Sequence, residues 1–379
     1  MKSVSFSFFI SLLFIGILNS QPAISFDKVF EDFTSIEINF NQCAEVNNYT
    51  IKKDAGIFTL KSGKVYLTTP INNVVRAVVF VGDGNFKFTP PTEVEKKHLF
   101  RFYEKESLDE NFQNLVILFG DNTLEELKAS LEFKAENNEK PKVNINDILS
   151  KFLVYKDEEY FPPDFAKTFL DNEMNKLFFA AFKDNNNKPI FFKVNPFEYE
   201  DIELLKSYNN LFRKDLEIVC KFPSRNAFPD KKDKKLFHIS KFDIDSKIDD
   251  SYSMDFSGTT SVKLKPEYGN QYWIPFNVFS EMEIDSVLLD NKKVEFSKSK
   301  NNPIFWVKSN DPLMTNKEYN FQFFYKGDLL YRTTSAWILL HSIHDWYVNT
   351  YWENVADYSI KFTFPQKWQI ICVGDKLSD

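Results

Sequence analysis

Short apolar runs that recur about every ten residues limit the fold of this chain more than any other feature. In FHISKFDIDSKID, residues 237–249, apolar and polar side chains alternate with the period of two that a half-buried strand requires. Further runs follow it: TTSVKLKP, QYWIPFNV, EIDSVLLD, KKVEFS, PIFWVKS and EYNFQFFYKG. This half of the chain predicts an antiparallel sandwich or a strongly curved, saddle-like sheet, with one buried face per strand.

The first half is also typical of strands. The runs SIEINF, GIFTL, KVYLTT, RAVVFVG, NFKFT and LVILFG dominate residues 30–133, and KLFFAAF, PIFFKV and LEIVCKF come later. They are β-branched or aromatic and are bounded by Gly, Asn, Asp or Pro. Helical spacing predicts one helix over residues 144–153 and another in DFAKTFL, residues 164–170. The predicted fold class is therefore mainly β: two β-rich domains with a few short helices.

One glycine-containing stretch has two interpretations. VFVGDGNFKFTPP, residues 79–91, predicts a β-hairpin that turns at Asp83-Gly84. It also resembles part of a phosphate-binding loop, but the GxGxxG pattern requires a glycine where Lys87 stands. A helix signal should follow such a loop, and Pro90-Pro91 follows instead. The hairpin is therefore the favoured interpretation, and the stretch gives no support for nucleotide binding.

The predicted order along the chain is a signal peptide, a first domain, a linker and a second domain. Lys2 and the apolar run FFISLLFIGIL, residues 8–18, predict a secretory signal over residues 1–20. The first β-rich domain covers residues 21–222, and the polar, proline-bearing segment PSRNAFPDKKDKK, residues 223–235, is the linker. The second domain covers residues 236–379. We expect an exported protein, periplasmic or extracellular, with no integral membrane segment after signal cleavage.

The charge and the cysteine content narrow the possible classes of protein further. The formal net charge of −7 gives the chain no general attraction to nucleic acid. Only three cysteines occur, Cys43, Cys220 and Cys372, so at most one disulfide can form. The favoured interpretation is that all three are buried as small apolar residues.

The acidic segments have ordinary structural explanations. The aspartates of DIDSKIDD, residues 243–250, could suggest calcium, but alternation directs Asp243 and Asp245 to a solvated strand face. The segment PFEYEDIE, residues 196–203, favours a helix start or a loop.

Several motifs in a fixed order resemble a known family. They are FDID, then IDSVLLDNKKVEF, then DPLMTNKEYNFQFFYKGDL, followed by Trp346-Tyr347, Ala356-Asp357-Tyr358, FTFP at residues 362–365, and Val373-Gly374. Together they resemble the N-terminal β domain of the gluzincin aminopeptidases, the aminopeptidase N-like family M1, over residues 236–379. Val348 stands where the family often has proline. The stretch AVVFVGDGNFKFTPPTEVEKKHLFRF resembles the β-rich leader of some large exported bacterial members.

The resemblance implies that the chemistry lies in another domain. The family's zinc site needs HExxH on a helix, a further glutamate and a Gly-x-Met-Glu-Asn strand, and this sequence contains none of them. We therefore assign no catalytic residue, expect zinc only in the missing catalytic domain, and expect the chain to be inactive alone. The implied partner is a peptidase catalytic domain or a separate chain carrying it.

The stretch LHSIHDWY, residues 340–347, is the remaining candidate for a site. His341 and His344 have His-x-x-His spacing beside Asp345, which could indicate a metal site, but zinc wants three or four ligands. The resemblance places this stretch at the edge that faces the catalytic domain. The candidate interface residues are Trp337, His341, His344, Trp346, Tyr347, Tyr351 and Trp352.

Three functions remain open at this point. The first is a non-catalytic N-terminal portion of an exported M1-like metallopeptidase, which shapes or docks on a catalytic zinc domain. The second is an independent exported β-rich binding module without a peptidase partner. The third is a complete metalloenzyme that uses His341 and His344.

Overall fold

The structure is a computed structural model of the chain. It describes residues 25–136, 161–171, 177–195, 198, 200–209, 214–224, 237–249, 255–267, 269–298, 302–315, 317–332, 338–340, 345–350, 355–372 and 374–377. These residues are mainly β, with 55% in strands and 14% in helices, which confirms the predicted fold class. The predicted signal peptide, the helix over residues 144–153 and nearly all of the linker lie outside the described residues.

Four short helices occur in the described residues: α1 (Phe26–Thr34), α2 (Glu93–Tyr103), α3 (Thr123–Ser130) and α4 (Pro163–Asp171). The predicted helix in DFAKTFL is α4, which begins with proline at its first position. The sequence pattern predicts no helix between residues 30 and 133, so α2 and α3 were missed. A capping signal was present for α2, because the Thr92 side chain accepts a hydrogen bond from the Glu95 N–H.

Eight antiparallel strands form one sheet, and they follow one another in sequence order. Their sequences are rich in the apolar residues that favour buried strands. They are β1 (Ile38–Lys53), β2 (Gly56–Thr68), β3 (Ala77–Phe88), β4 (Leu108–Phe119), β5 (Phe178–Lys183), β6 (Pro189–Val194), β7 (Ile202–Asn209) and β8 (Lys214–Phe222). The sheet curls so far that β2 approaches β6 across its concave side. A Cβ added to Gly56 of β2 would lie 2.8 Å from the Phe192 ring of β6. The concave side holds a phenylalanine-rich core that α2 and α3 cover through Leu99 and Leu127.

The convex face of this sheet is covered by α1, α4 and part of the second half of the chain. Phe33 of α1 lies 5.9 Å from Phe169 of α4, measured between ring centroids. Trp273, Ile304 and Trp306 from the second half join the same core cluster. The two halves therefore share buried apolar surface rather than meeting only through a linker.

Two facing sheets and a separate two-stranded sheet, β17-β18, form the described part of the second half. The larger has the order β13-β12-β16-β10-β9-β19, and the smaller has the order β11-β15-β14. The strands are β9 (Phe237–Ile248), β10 (Phe256–Pro266), β11 (Gln271–Asn277), β12 (Glu283–Leu289), β13 (Lys292–Lys293), β14 (Glu295–Ser297), β15 (Ile304–Leu313), β16 (Tyr319–Gly327), β17 (Tyr331–Arg332), β18 (Ile338–Leu339) and β19 (Asp357–Thr363). Phe276 and Phe323 meet between the two sheets at 4.6 Å. Strand β19 is parallel to β9, at the edge of the larger sheet.

The predicted hairpin at Asp83-Gly84 was wrong. Strand β3 runs through this point and pairs with β2 and β4 on either side. Gly82 (φ 149°) faces Gly63 (φ 151°) on β2, and a Cβ on Gly82 would lie 2.2 Å from the Ser62 carbonyl oxygen. The glycine is needed for a close approach within a long irregular strand pair, not for a turn.

The segment over residues 196–203 was also partly misassigned. Ile202 and Glu203 begin β7, and both are buried. No described helix of the structure is long and apolar enough to cross a bilayer.

Candidate functional site

The predicted interface is only partly described. Trp337, His341, His344, Tyr351 and Trp352 lie outside the described residues. Trp346 and Tyr347 are described, and both are half-buried against the core of the second half. The next residue, Val348, is fully buried, so the loop is anchored at its centre.

Backbone and side-chain hydrogen bonds join the loop over residues 345–350 to the end of β11 and to the turn that follows it. Asn277 and Asn349 exchange N–H to C=O bonds of 2.8 and 2.9 Å. The Phe279 N–H donates to the Asp345 carbonyl oxygen at 2.8 Å. The Asp345 carboxylate accepts from the Asn349 amide at 2.8 Å. Asp345 therefore holds its own loop in place. In the described part of the chain, no group of three or more His, Cys, Asp or Glu side chains could hold a metal ion.

Five aromatic rings meet where this loop reaches the sheet edge. Phe242 of β9 stacks on Tyr358 of β19 at 5.0 Å with an interplanar angle of 12°. Tyr347 packs edge-on against both, at 5.8 Å from Phe242 and 6.1 Å from Tyr358. Trp346 lies 4.9 Å from Tyr347 and 5.6 Å from Phe362 of β19. Burial raises the pKa of Tyr347, so its hydroxyl stays protonated over the ordinary pH range.

The register of β19 continues the core-facing row of β9, and Trp346 and Tyr347 cover this continuation only in part. Tyr358 pairs with Phe242 and Ile360 pairs with Ile244, so these side chains share one face of the sheet. Phe242 and Ile244 are buried, whereas Tyr358 is 48% exposed and Ile360 is 43% exposed. We call the surface formed by Trp346, Tyr347, Tyr358, Ile360 and Phe362 the aromatic edge. The described residues that follow it in the chain include exposed Ile370 and Ile371.

The interface predicted from the sequence contains two of these five residues. It includes Trp346 and Tyr347 but not Tyr358, Ile360 or Phe362. The alternation in DYSIKFT is typical of a half-buried strand, and it predicts burial for the very residues that are left exposed. Exposure depends on where the facing sheet ends, which the local pattern does not encode.

The carboxylates considered for calcium lie on a solvated face, as the alternation predicts. Asp243 pairs with Lys241 at 2.7 Å, and Asp245 pairs with Lys361 of β19 at 2.8 Å. Both pairs are largely exposed, so each contributes little to stability.

The three cysteines are free thiols in the structure. Cys43 and Cys220 are buried, as predicted, and burial raises the pKa of Cys43 to about 11 and that of Cys220 to about 12. Neither is a reactive thiolate at neutral pH. The prediction was wrong for Cys372, which is exposed in the segment after β19.

Comparisons with known proteins give only distant structural similarity. No family model matches the sequence, and no curated protein matches it. Part of the chain is similar to solved structures of M1 zinc metallopeptidases. A structure of an M1 zinc metallopeptidase from Deinococcus radiodurans has 10% identity and a TM-score of 0.29, covering 35% of this chain and 33% of that one. Yeast LTA4 hydrolase in complex with bestatin has 13% identity and a TM-score of 0.29, covering 34% and 23%. The chain thus spans a third or less of either protein.

Proposed function

We propose that this chain is the non-catalytic, β-rich portion of an exported M1-like metallopeptidase of the aminopeptidase type, and that it docks a catalytic zinc domain on its aromatic edge. The observation that carries the proposal is the exposed row of Tyr358 and Ile360, which continues the buried row of Phe242 and Ile244. The ordered motifs of residues 236–379 supply the identity of the partner. The proposed location is periplasmic or extracellular.

The aromatic edge has the composition of an interface core. Interface cores are enriched in tryptophan, tyrosine and phenylalanine and depleted of charge, and this edge has three of those residue types around Ile360. Covering Tyr358 and Ile360 would remove roughly half of each side chain from water, which is worth about 1 kcal/mol apiece. A partner would extend an existing core rather than create a new one.

The proposed role is to shape and position the partner, because the sequence contains no HExxH and no glutamate partner for it. We expect the purified chain alone to have no aminopeptidase activity. Zinc and the water-activating glutamate would belong to the catalytic domain, so the chain contributes contact surface and not chemistry.

The test changes one exposed residue on each face of β19. Ile360→Lys places a charge on the aromatic edge, and Ser359→Lys places the same charge on the opposite, solvated face of the same strand. Binding of each variant to an HExxH-containing catalytic domain of an M1 aminopeptidase is measured by calorimetry. We expect Ser359→Lys to bind like the unmodified chain and Ile360→Lys to bind at least about tenfold more weakly, a loss of about 1.4 kcal/mol.

Sedimentation velocity and hydrophobic-dye binding supply the second readout. An uncovered apolar face should make the folded chain self-associate or bind the dye, and Ile360→Lys should suppress both. A strictly monomeric chain that binds neither dye nor catalytic domain contradicts the docking role and favours an independent exported binding module.

A further inference from the structure

Five charged side chains form a continuous row across the convex face of the first sheet. They are, in order, Asp164 of α4, Lys193 of β6, Glu203 of β7, Lys221 of β8 and Glu198 of the segment before β7. Lys193 is ion-paired with Asp164 and lies 3.7 Å from Glu203. Lys221 lies 3.2 Å from Glu203 and is ion-paired with Glu198. We call this row the ion ladder.

The ion ladder holds one more negative charge than positive charge. Three carboxylates face two ammonium groups, and the Asp164, Lys193 and Glu203 side chains are almost fully buried. A buried surplus charge is costly, because the low-dielectric interior solvates it poorly. One carboxylate of the row can therefore take up a proton and leave the two ammonium groups fully matched.

Glu203 is the carboxylate best placed to accept that proton. It sits at the centre of the row between both lysines, and burial raises its pKa above the ordinary value although Lys193 and Lys221 oppose this. Glu198 and Asp164 add to the rise by repulsion. Asp164 is placed differently, since it lies in the first turn of α4, where a negative charge is favoured, and accepts the Phe165 N–H at 2.9 Å.

The ion ladder is connected to the second half of the chain through α4. One turn beyond Asp164, the Lys167 ammonium donates to the Trp273 carbonyl oxygen at 2.6 Å and pairs with Asp171. Asp171 in turn accepts the Trp273 N–H at 3.0 Å. Helix α4 thus contacts the first sheet through Asp164 and the second half through Lys167 and Asp171. Whatever tightens α4 on the first sheet also tightens the junction between the halves.

We propose that Glu203 is a proton switch for α4: on acidification its carboxylate takes up one proton from solvent, and Lys193 is then held by Asp164 alone. The surplus charge disappears, and Glu203 no longer competes with Asp164 for the Lys193 ammonium. Lys221 keeps Glu198 as its partner at the rim of the ladder. Helix α4 and its contact with Trp273 become more stable as the medium becomes more acidic.

The direction of the effect follows from proton linkage. A carboxyl group whose pKa is raised on folding binds protons more tightly in the folded chain than in the unfolded chain. Its contribution to stability is full below the ordinary carboxyl pKa and is lost as the pH rises through the raised value. The Glu203 contribution therefore grows on acidification, opposite to the usual effect of paired surface carboxylates.

The test is native-state hydrogen exchange of the α4 amides and of the Trp273 N–H, corrected for intrinsic exchange rates, at about pH 5 and about pH 7.5. In the unmodified chain we expect exchange at these sites to slow on acidification, by about tenfold for each unit by which the Glu203 pKa is raised. Glu203→Gln imitates the protonated side chain, so at neutral pH it should already show the slow exchange. Its remaining pH dependence should be flat in comparison.

Glu217→Gln is the matched control, because Glu217 forms a more exposed pair with Lys206 between the same two strands, at 3.2 Å. It should leave the pH dependence of α4 exchange unchanged. An α4 that becomes less protected on acidification, or a Glu203→Gln variant with the pH dependence of the unmodified chain, overturns the proposal. If Glu203→Gln does not fold, the direction of the unmodified chain's profile decides alone.

Discussion

Replacing Lys167 by methionine should weaken the junction between the two halves more than any surface change. The Lys167 ammonium is the donor that joins Asp171 to the Trp273 carbonyl oxygen, and its side chain is 3% exposed. Methionine keeps an unbranched side chain of similar length but removes the charge and all three N–H donors. The change therefore tests the polar contact with little change in packing.

The expected loss can be worked out from what Lys167 leaves behind. Asp171 would keep its charge with a side chain only 9% exposed, and removing one partner of a buried ion pair costs about 3–5 kcal/mol. The Trp273 carbonyl oxygen would lose its bond to Lys167, a further cost of about 1–3 kcal/mol when no water replaces it. These costs overlap because both reflect the loss of one ammonium group, so we expect a total of about 4 kcal/mol.

The assay is urea unfolding followed by tryptophan fluorescence and far-UV circular dichroism. The double variant Lys167→Met/Asp171→Asn removes the stranded charge while an amide oxygen still accepts the Trp273 N–H. It should regain about half of the loss, roughly 2 kcal/mol. Lys326→Met is the control, because its pair with Asp285 is exposed, and it should cost less than about 1 kcal/mol. A Lys167→Met loss no larger than the control's would refute a buried polar contact at this junction.

Three further outcomes test other parts of the structure. Gly258→Val should cost about 1–3 kcal/mol in thermal unfolding, because a Cβ there would lie 2.5 Å from the Tyr325 ring, whereas Gly269→Ala, with no atom closer than 4.0 Å, should be nearly neutral. Limited trypsin digestion should cut first within residues 223–235, and the two fragments should still co-elute in size-exclusion chromatography because they share a core cluster. Metal analysis should find no stoichiometric zinc in the purified chain, and EDTA should leave its Tm unchanged; one zinc per chain would contradict the assignment of the zinc site to another domain.

The sequence pattern predicts correctly those elements that depend only on residues close together in the chain. The alternation of residues 237–249 matches the burial of β9, with Phe242 and Ile244 inside and Asp245 outside. The apolar spacing and proline of α4 were also sufficient to predict that helix. The predicted turn at Asp83-Gly84 failed because β3 continues through it. The neighbouring Gly82 is required by its close approach to Gly63, about twenty residues away on β2, which the local sequence does not show.

The ion ladder could not have been predicted from the sequence. Asp164, Lys193, Glu203 and Lys221 are spread over almost sixty residues, and each looks like an ordinary solvated charge in its own segment. Their meeting depends on the strand order β6-β7-β8 and on the placement of α4 over that part of the sheet. The assignment of residues 196–203 to a loop or helix start hid Glu203 in particular.

The two sheets differ in how completely they are covered, and this difference restricts where a folded partner can bind. The first sheet is packed on its concave side by α2 and α3 and on its convex side by α1, α4 and part of the second half. In the second half, the facing strands β11, β15 and β14 cover the core row as far as β9, and the next strand, β19, has its core-facing side chains exposed. Tyr358 and Ile360 therefore lie at a boundary where a core row passes directly from buried to open. A partner that bound at β19 would complete a row that the sheet has begun.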